Sequence, residues 1–266
     1  MMRYLSGALF FLLGFPLAAQ NSTEYQKLRT RIVAKFQNSA PGKFGPFVKG
    51  VEANIVTDKK ILALTFDACG GHYGNGFDRD IIQYLKQERI YATLFLTGRW
   101  IDDHPAEVKQ LAADTLFEIE NHGLMHRPCS VEGKSMYGIQ GTANVGQAVD
   151  EIEMNAIKIQ HVTGRKPIFF RSATAMTDEA CGEIATELGE TIVSYDILSG
   201  DAVGGTPART IVENIVKKAH PGAIVIMHMN HPEWDTFEAL RVAIPRLRKM
   251  GYTFVKLQNH QFKGKQ

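Results

Sequence analysis

His122 and His126 lie four residues apart, a spacing that can place two imidazoles on one cation. The residue directly after the first histidine is Gly123, where a zincin helix requires Glu, and Pro128 follows closely. A metalloprotease helix is therefore disfavoured. Asp67 closes the apolar run Leu62–Phe66, and a carboxylate there needs a partner or a metal because an unpaired buried charge is costly. Its candidate roles are general base and metal ligand. Arg171 follows another apolar run and can neutralise the carboxylate of Asp201 or Asp196, while His228 ends a third run and can protonate a leaving group. Each residue also has a plain structural reading: a capping histidine, an ion pair closing a barrel mouth, a hydrogen-bonded imidazole. Their joint placement is what argues for a site.

That placement rests on the elements between them. Short apolar runs occur at 62–66, 92–96, 117–120, 168–170, 192–195, 223–227 and 253–257. Helical periods separate most of them, the clearest being Val145, Val149, Ile152, Ala156 and Ile159. Seven strands alternating with helices predict parallel pairing through right-handed crossovers, and near-continuous apolar strands predict a sheet covered on both faces. Neither a GxGxxG turn nor a P-loop is present. The expectation is a single-domain α/β protein, a (β/α) barrel of about seven strands. In such a barrel the functional residues gather at the C-terminal ends of strands. Five junctions then carry polar residues: Asp67–His72, Asn121–Ser130, Arg171–Thr174, Asp196 with Asp201, and His228–His231.

The 266 residues are 44% hydrophobic and 22% charged, and 30 basic against 28 acidic side chains leave a net charge of +2. This excludes disorder and argues against nucleic acid as a partner. Arg3, the apolar stretch around Ala8–Leu13 and the small residues Ala18-Ala19 read as a secretory signal over residues 1–19. The alternative is an N-terminal membrane anchor, disfavoured by the cleavage site. The expected location is periplasmic or secreted, with no stable membrane anchor after cleavage. Residues 20–60 form a polar entry segment with a helix near Tyr25–Phe36, and residues 61–266 the catalytic domain. Cys69, Cys129 and Cys181 cannot all pair with one another, so one thiol or all three stay free.

Taken in order, these residues resemble the polysaccharide deacetylase family, the NodB-homology domain of carbohydrate esterase family 4, and in particular exported peptidoglycan deacetylases. Thr65-Phe66-Asp67 is similar to the first family motif, Thr-Phe-Asp-Asp, with Ala68 at the second Asp. His122-Gly-Leu-Met-His126 is similar to the second motif. Arg171 opens the third, where Ala173 and Thr174 replace the usual Pro and aromatic. Asp201 is the preferred match to the fourth, with Asp196 as competitor, and Ile226-Met227-His228 matches the fifth.

The resemblance implies a distorted (β/α)7 TIM-like barrel that removes N-acetyl groups from amino sugars by metal-activated water attack. The implied partner is a polysaccharide, peptidoglycan first and a chitin-like glycan or an O-acetyl ester second. The implied cofactor is one divalent transition metal, zinc ahead of cobalt, nickel or manganese. Asp67 is the implied base, His228 the acid, and Arg171 and Asp201 orient and tune the base. Thr174 lends a backbone N–H to the oxyanion. His122 and His126 hold the metal. Ala68 leaves the third ligand open among Asp67, Cys69 and His72; Asp67 is preferred as the carboxylate of that segment, and Cys69 is expected to pack near the site or pair with Cys129. Competing readings are a glycan-binding relic without metal and a metal-free amidohydrolase. Trp100, Trp234 and Tyr137 are candidates for stacking on sugar rings, or simply core and rim residues.

Overall fold

The computed structural model describes residues 22–265; the expected leader, 1–19, lies outside them. Seven parallel strands surround the centre: β1 (Ile61–Ala68), β2 (Ala92–Leu96), β3 (Phe117–Asn121), β4 (Phe169–Phe170), β5 (Thr191–Val193), β6 (Ile197–Leu198) and β7 (Ala223–His228). The ladder runs β7-β1-β2-β3-β4-β5, with β6 on the far edge of β7. Among the described residues no ladder joins β5 to β6, so this distorted (β/α) barrel is split there.

The split is filled at its lower end by the entry segment. Val51–Glu52 pairs in parallel with β5, and Asn54–Ile55 pairs antiparallel with β7 and with Phe262–Lys263. The described part of the entry segment, residues 22–60, is thus woven into the body that it precedes. The helix Thr23–Phe36, capped by the Ser22 hydroxyl, sets Ile32 and Phe36 against Val145, Val149 and Ile152 of the helix Val145–Thr163. That second helix buries the five apolar residues predicted from their spacing. Burial of each valine or isoleucine among them contributes about 1.5–3 kcal/mol.

Two expectations shift. The run expected at 253–257 forms Thr253–Val255, which lies beside the first half of β1. From there Leu257 and Gln258 donate backbone N–H groups to the buried Glu118 carboxylate at 2.8 and 3.0 Å, sealing the base of the barrel. Its place as a stave near the split is taken by β6, two residues long and too short to show as an alternation.

Strand alternation sorts the first junction. Leu62, Leu64, Phe66 and Ala68 lie in the apolar layer beneath the helices, whereas Ala63 packs inside with Phe95, Val193 and Ile224. Thr65 and Asp67 continue that inner row upward, toward Arg171. The interior is therefore a packed floor with a polar top.

Outside the barrel, Asn121 ties β3 to its surroundings. Its amide donates to Ile152 O at 2.9 Å and to both oxygens of Glu190, at 3.1 and 3.0 Å, and it accepts from Asn155 at 2.7 Å. Burial pushes the Glu190 carboxyl well above the usual range, outweighing the Asn121 bond. Its unfolded counterpart ionises near ~4.3. The stability associated with this group is therefore fully present below the unfolded pKa and lost as pH rises through the folded pKa. Glu190→Gln should gain on the wild type in urea midpoint as pH is raised from 4 to 8. Parallel midpoints across that range would overturn the assignment.

Candidate active site

Three elements deliver the histidines and their company to one point. After β3 the chain turns at Gly123, whose φ is +86° and where a Cβ would lie 2.4 Å from a Glu151 carboxylate oxygen. Only glycine fits there. Glu151, buried on the helix Val145–Thr163, accepts backbone N–H groups from Met125 (3.0 Å) and Arg127 (2.9 Å). This clamp flanks His126, itself held at φ +59°. A non-glycine residue in that region is uncommon and persists where its surroundings over-determine it.

His122 is fixed by a different bond. Its Nδ1 lies 2.8 Å from Arg171 O, which can only accept, so Nδ1 carries a proton and Nε2 faces the site. Orienting a ligand histidine through its other nitrogen is common at metal sites. The two imidazoles stand with ring centroids 4.9 Å apart.

The third donor brought to them is Cys69. Its Sγ lies 3.8 Å from His122 Nε2, and the three ligand atoms of Cys69, His122 and His126 all fall within 4.8 Å of one another. The preferred third ligand, Asp67, is otherwise engaged. Its Oδ1 accepts from Arg171 at 2.7 Å, and its Oδ2 lies 3.6 Å from His122 Nε2, beside the cluster. His72 is exposed and turned onto Tyr73. Cys69 does not pair with Cys129: all three cysteines are free, and Cys129 instead contacts Cys181 in the core.

Arg171 is fully buried. Besides Asp67 it donates to the Thr65 hydroxyl (2.8 Å), Val193 O (3.2 Å) and Ser194 O (2.9 Å), and it stacks 4.1 Å over Phe95. Asp201 was expected to tune the base or to face Arg171. It meets His228 instead: Oδ1 lies 3.1 Å from Nδ1, and Oδ2 accepts the His228 backbone N–H at 2.7 Å. Ser199 holds the same carboxylate at 2.8 Å. Asp196 is at the other end of the barrel, bonded to His220 and to Lys265. Thr174 occupies the turn Ala173–Ala175 after β4, with φ +58°.

Electrostatics follow from these contacts. Burial lowers His228, but the Asp201 charge outweighs it and holds the imidazole well above the usual histidine range. Burial dominates at His126 and lowers it, favouring the neutral ring that ligates. Burial raises Cys69, yet the surrounding imidazoles win and keep the thiol well below its ordinary value.

Asn155, Glu151 and Glu190 escaped the sequence reading, in which Asn121 figured only as the first residue of a polar junction. All three sit on helix faces or a loop, where a polar residue reads as solvated. Glu151 lies directly before Ile152 of the apolar stripe, and that adjacency was the available signal. Of the aromatic candidates, Trp100 is fully buried with its Nε1 bonded to Gly76 O. Trp234 is half-buried, stacked on His231 and edge-on to His228, and Tyr137 is exposed.

The profile of the polysaccharide deacetylase family matches residues 54–193. The chain belongs to that family. It is 27% identical over 209 residues to the peptidoglycan-N-acetylmuramic acid deacetylase PdaA of Bacillus subtilis, covering 77% of this chain and 73% of that protein. A solved peptidoglycan N-acetylglucosamine deacetylase, Bc1960, superposes with a TM-score of 0.67 at 26% identity, over 78% of this chain and 91% of that one. A mutant of BA3943, a Bacillus anthracis family 4 pseudoenzyme with restored enzymatic activity, superposes at 0.65 with 25% identity, over 78% of this chain and 69% of that one. Membership makes the chain a polysaccharide deacetylase by family and a hydrolase by reaction class.

The Asp201–His228 pair is open to direct measurement. In metal-free protein the His228 imidazole should titrate above the ordinary histidine range by NMR. In Asp201→Asn it should titrate below the wild-type value, since the charge that holds the proton is gone. An unchanged titration would remove Asp201 as the cause.

Proposed function

We propose that the chain is an exported, metal-dependent N-deacetylase of peptidoglycan amino sugars. The observation that carries this reading is the flanking of one three-donor cluster by two distinct relays, Arg171–Asp67 and Asp201–His228. The names of the peptidoglycan deacetylases to which the chain is similar support the substrate. The leader-like residues 1–19 support export, and among the described residues no helix is long and apolar enough to cross a membrane.

The donor set fits a transition metal, since His122, held through Nδ1 by the Arg171 carbonyl, turns Nε2 toward the Cys69 sulfur, and His126 completes a cluster of two imidazoles and a thiol. Zinc is favoured over cobalt, nickel and manganese. His122, His126 and a third donor would hold a divalent cation there, which would supply Lewis acidity to the acetyl carbonyl and acidify a water. Asp67 then takes the water proton. Its Oδ1 is anchored by Arg171, which leaves Oδ2 to act beside His122. The turn Ala173–Ala175 offers the Thr174 N–H to the oxyanion. His228, kept protonated by Asp201, delivers a proton to the departing amine. Acetate and a free amino sugar result.

The second reading is a glycan-binding relic, favoured by Ala68 and by the likeness to a pseudoenzyme. Since that fold accommodates inactive and reactivated forms, side chains rather than architecture decide between the readings. Purified protein loaded with zinc should release acetate from peptidoglycan or from N-acetylglucosamine oligomers. Asp67→Asn and His228→Ala should each lower kcat by about 10²–10⁴-fold, the range typical of a lost general base or acid. Glycan binding without acetate release from metal-loaded protein would establish the relic.

A further inference from the structure

We infer that the metal centre of this chain is a thiolate centre, with Cys69 as third protein ligand beside His122 and His126. The inference rests on the metal-dependent reading above and deepens it. Four observations converge. First, the Sγ–Nε2 distance of 3.8 Å between Cys69 and His122 is close to the about 3.5 Å that separates sulfur and nitrogen ligands of tetrahedral zinc. A contraction of a few tenths of an ångström closes that gap, and the remaining donor lies within 4.8 Å of both.

Second, the backbone is built to aim this side chain. Gly70 and Gly71 follow with φ of +67° and +84°. A Cβ at Gly70 would stand 2.8 Å from Arg99 Cγ and 2.9 Å from the Trp100 backbone nitrogen, so the turn excludes any larger residue. Inside it, the Cys69 carbonyl accepts from Thr97 Oγ1 at 2.9 Å and from Arg99 Nε at 2.7 Å. Two donors thus anchor the Cys69 carbonyl while its sulfur faces the rings of His122, His126 and His228.

Third, the position that the family fills with a second carboxylate is closed to one here. Ala68 is fully buried in the apolar layer beneath the helices, where a charge would lack partners. Alternation along the strand instead puts Asp67 and Cys69 on the same inner side. Fourth, Asp67 already has a partner in Arg171, which makes it a base poised beside the metal rather than a member of its first set of ligands.

The consequences are chemical. Thiolate with two imidazoles favours zinc and cobalt and disfavours magnesium or manganese. The Cys69 thiol loses its proton to solvent when the cation binds. Cys69 is also half-buried where Cys129 and Cys181 are buried, so a mild alkylating reagent reports on it selectively.

The test is spectroscopic. Metal-free protein titrated with Co(II) should develop a sulfur-to-cobalt charge-transfer band in the near ultraviolet at one equivalent. Zinc should displace the band and protect one thiol from iodoacetamide. Cys69→Ser should lose the band, and Asp67→Asn should keep it. Cys69→Asp should bind Co(II) without the band; circular dichroism of each variant verifies folding. Stoichiometric cobalt without a thiolate band in the wild type, a band surviving in Cys69→Ser, or no metal bound at all would each overturn the inference. A thiolate band in protein that releases no acetate upholds this centre and removes the deacetylase reading. Acetate release from cobalt-loaded protein lacking the band does the reverse.

Discussion

The guanidinium of Arg171 is the contact on which the site and the barrel both depend. It lies fully buried at the top of the interior and reaches from β4 to Asp67 and Thr65 on β1 and to the carbonyls of Val193 and Ser194 at the end of β5. Those carbonyls border the split where β5 and β6 fail to pair, so one side chain ties the last stave before the split to β1 across the interior. Its own backbone carbonyl fixes the tautomer of His122. Removing one partner of a buried ion pair typically costs about 3–5 kcal/mol, because a desolvated charge is stranded. At this position the same loss would also free Asp67 and His122 together.

A second polar layer stands outside the barrel wall and serves the same end. Glu151 holds the loop that carries His126, and Asn121, bonded to Asn155 and Glu190, precedes His122. Burial of these carboxylates works against stability at neutral pH, as the raised values of Glu151 and Glu190 indicate. Apolar residues of similar volume would remove that cost. They would not, however, supply acceptors for the Met125 and Arg127 N–H groups in a segment that no strand or helix satisfies. Irregular backbone around the histidines thus demands buried acceptors.

The legible part of the molecule was the part whose side chains repeat. Strand alternation and the stripe Val145 to Ile159 identified the staves and the long helix, and the strand ends placed Asp67, His122, Arg171, Asp201 and His228 in the neighbourhood where they meet. What stayed hidden lacks periodicity. β6 is two residues long, and Val51–Ile55 joins the sheet only through contacts with β5 and β7 that are remote in sequence. The partner of Asp201 was misassigned for a related reason: charge complementarity alone allows Arg171 and His228 equally. Only the pairing of β6 with β7, which sets Leu198 opposite Ile226, brings the segment after β6 and its Asp201 to His228.

Cys69 shows how a local rule misleads when it is applied to the wrong neighbour. Judged against Ala68, the thiol points away from where a family carboxylate would stand. Judged against Asp67, two positions earlier, it shares the inner face, and the Gly70-Gly71 turn lets it stay there after the strand has ended. With Ala68 buried in the apolar layer, a donor side chain that meets both histidines stands one residue on, at Cys69, on the side that holds Asp67. The chain holds both histidines, the Arg171–Asp67 pair and the Asp201–His228 pair, and sets a sulfur beside them through a turn whose backbone suits glycine alone, so one short segment positions base and thiol together.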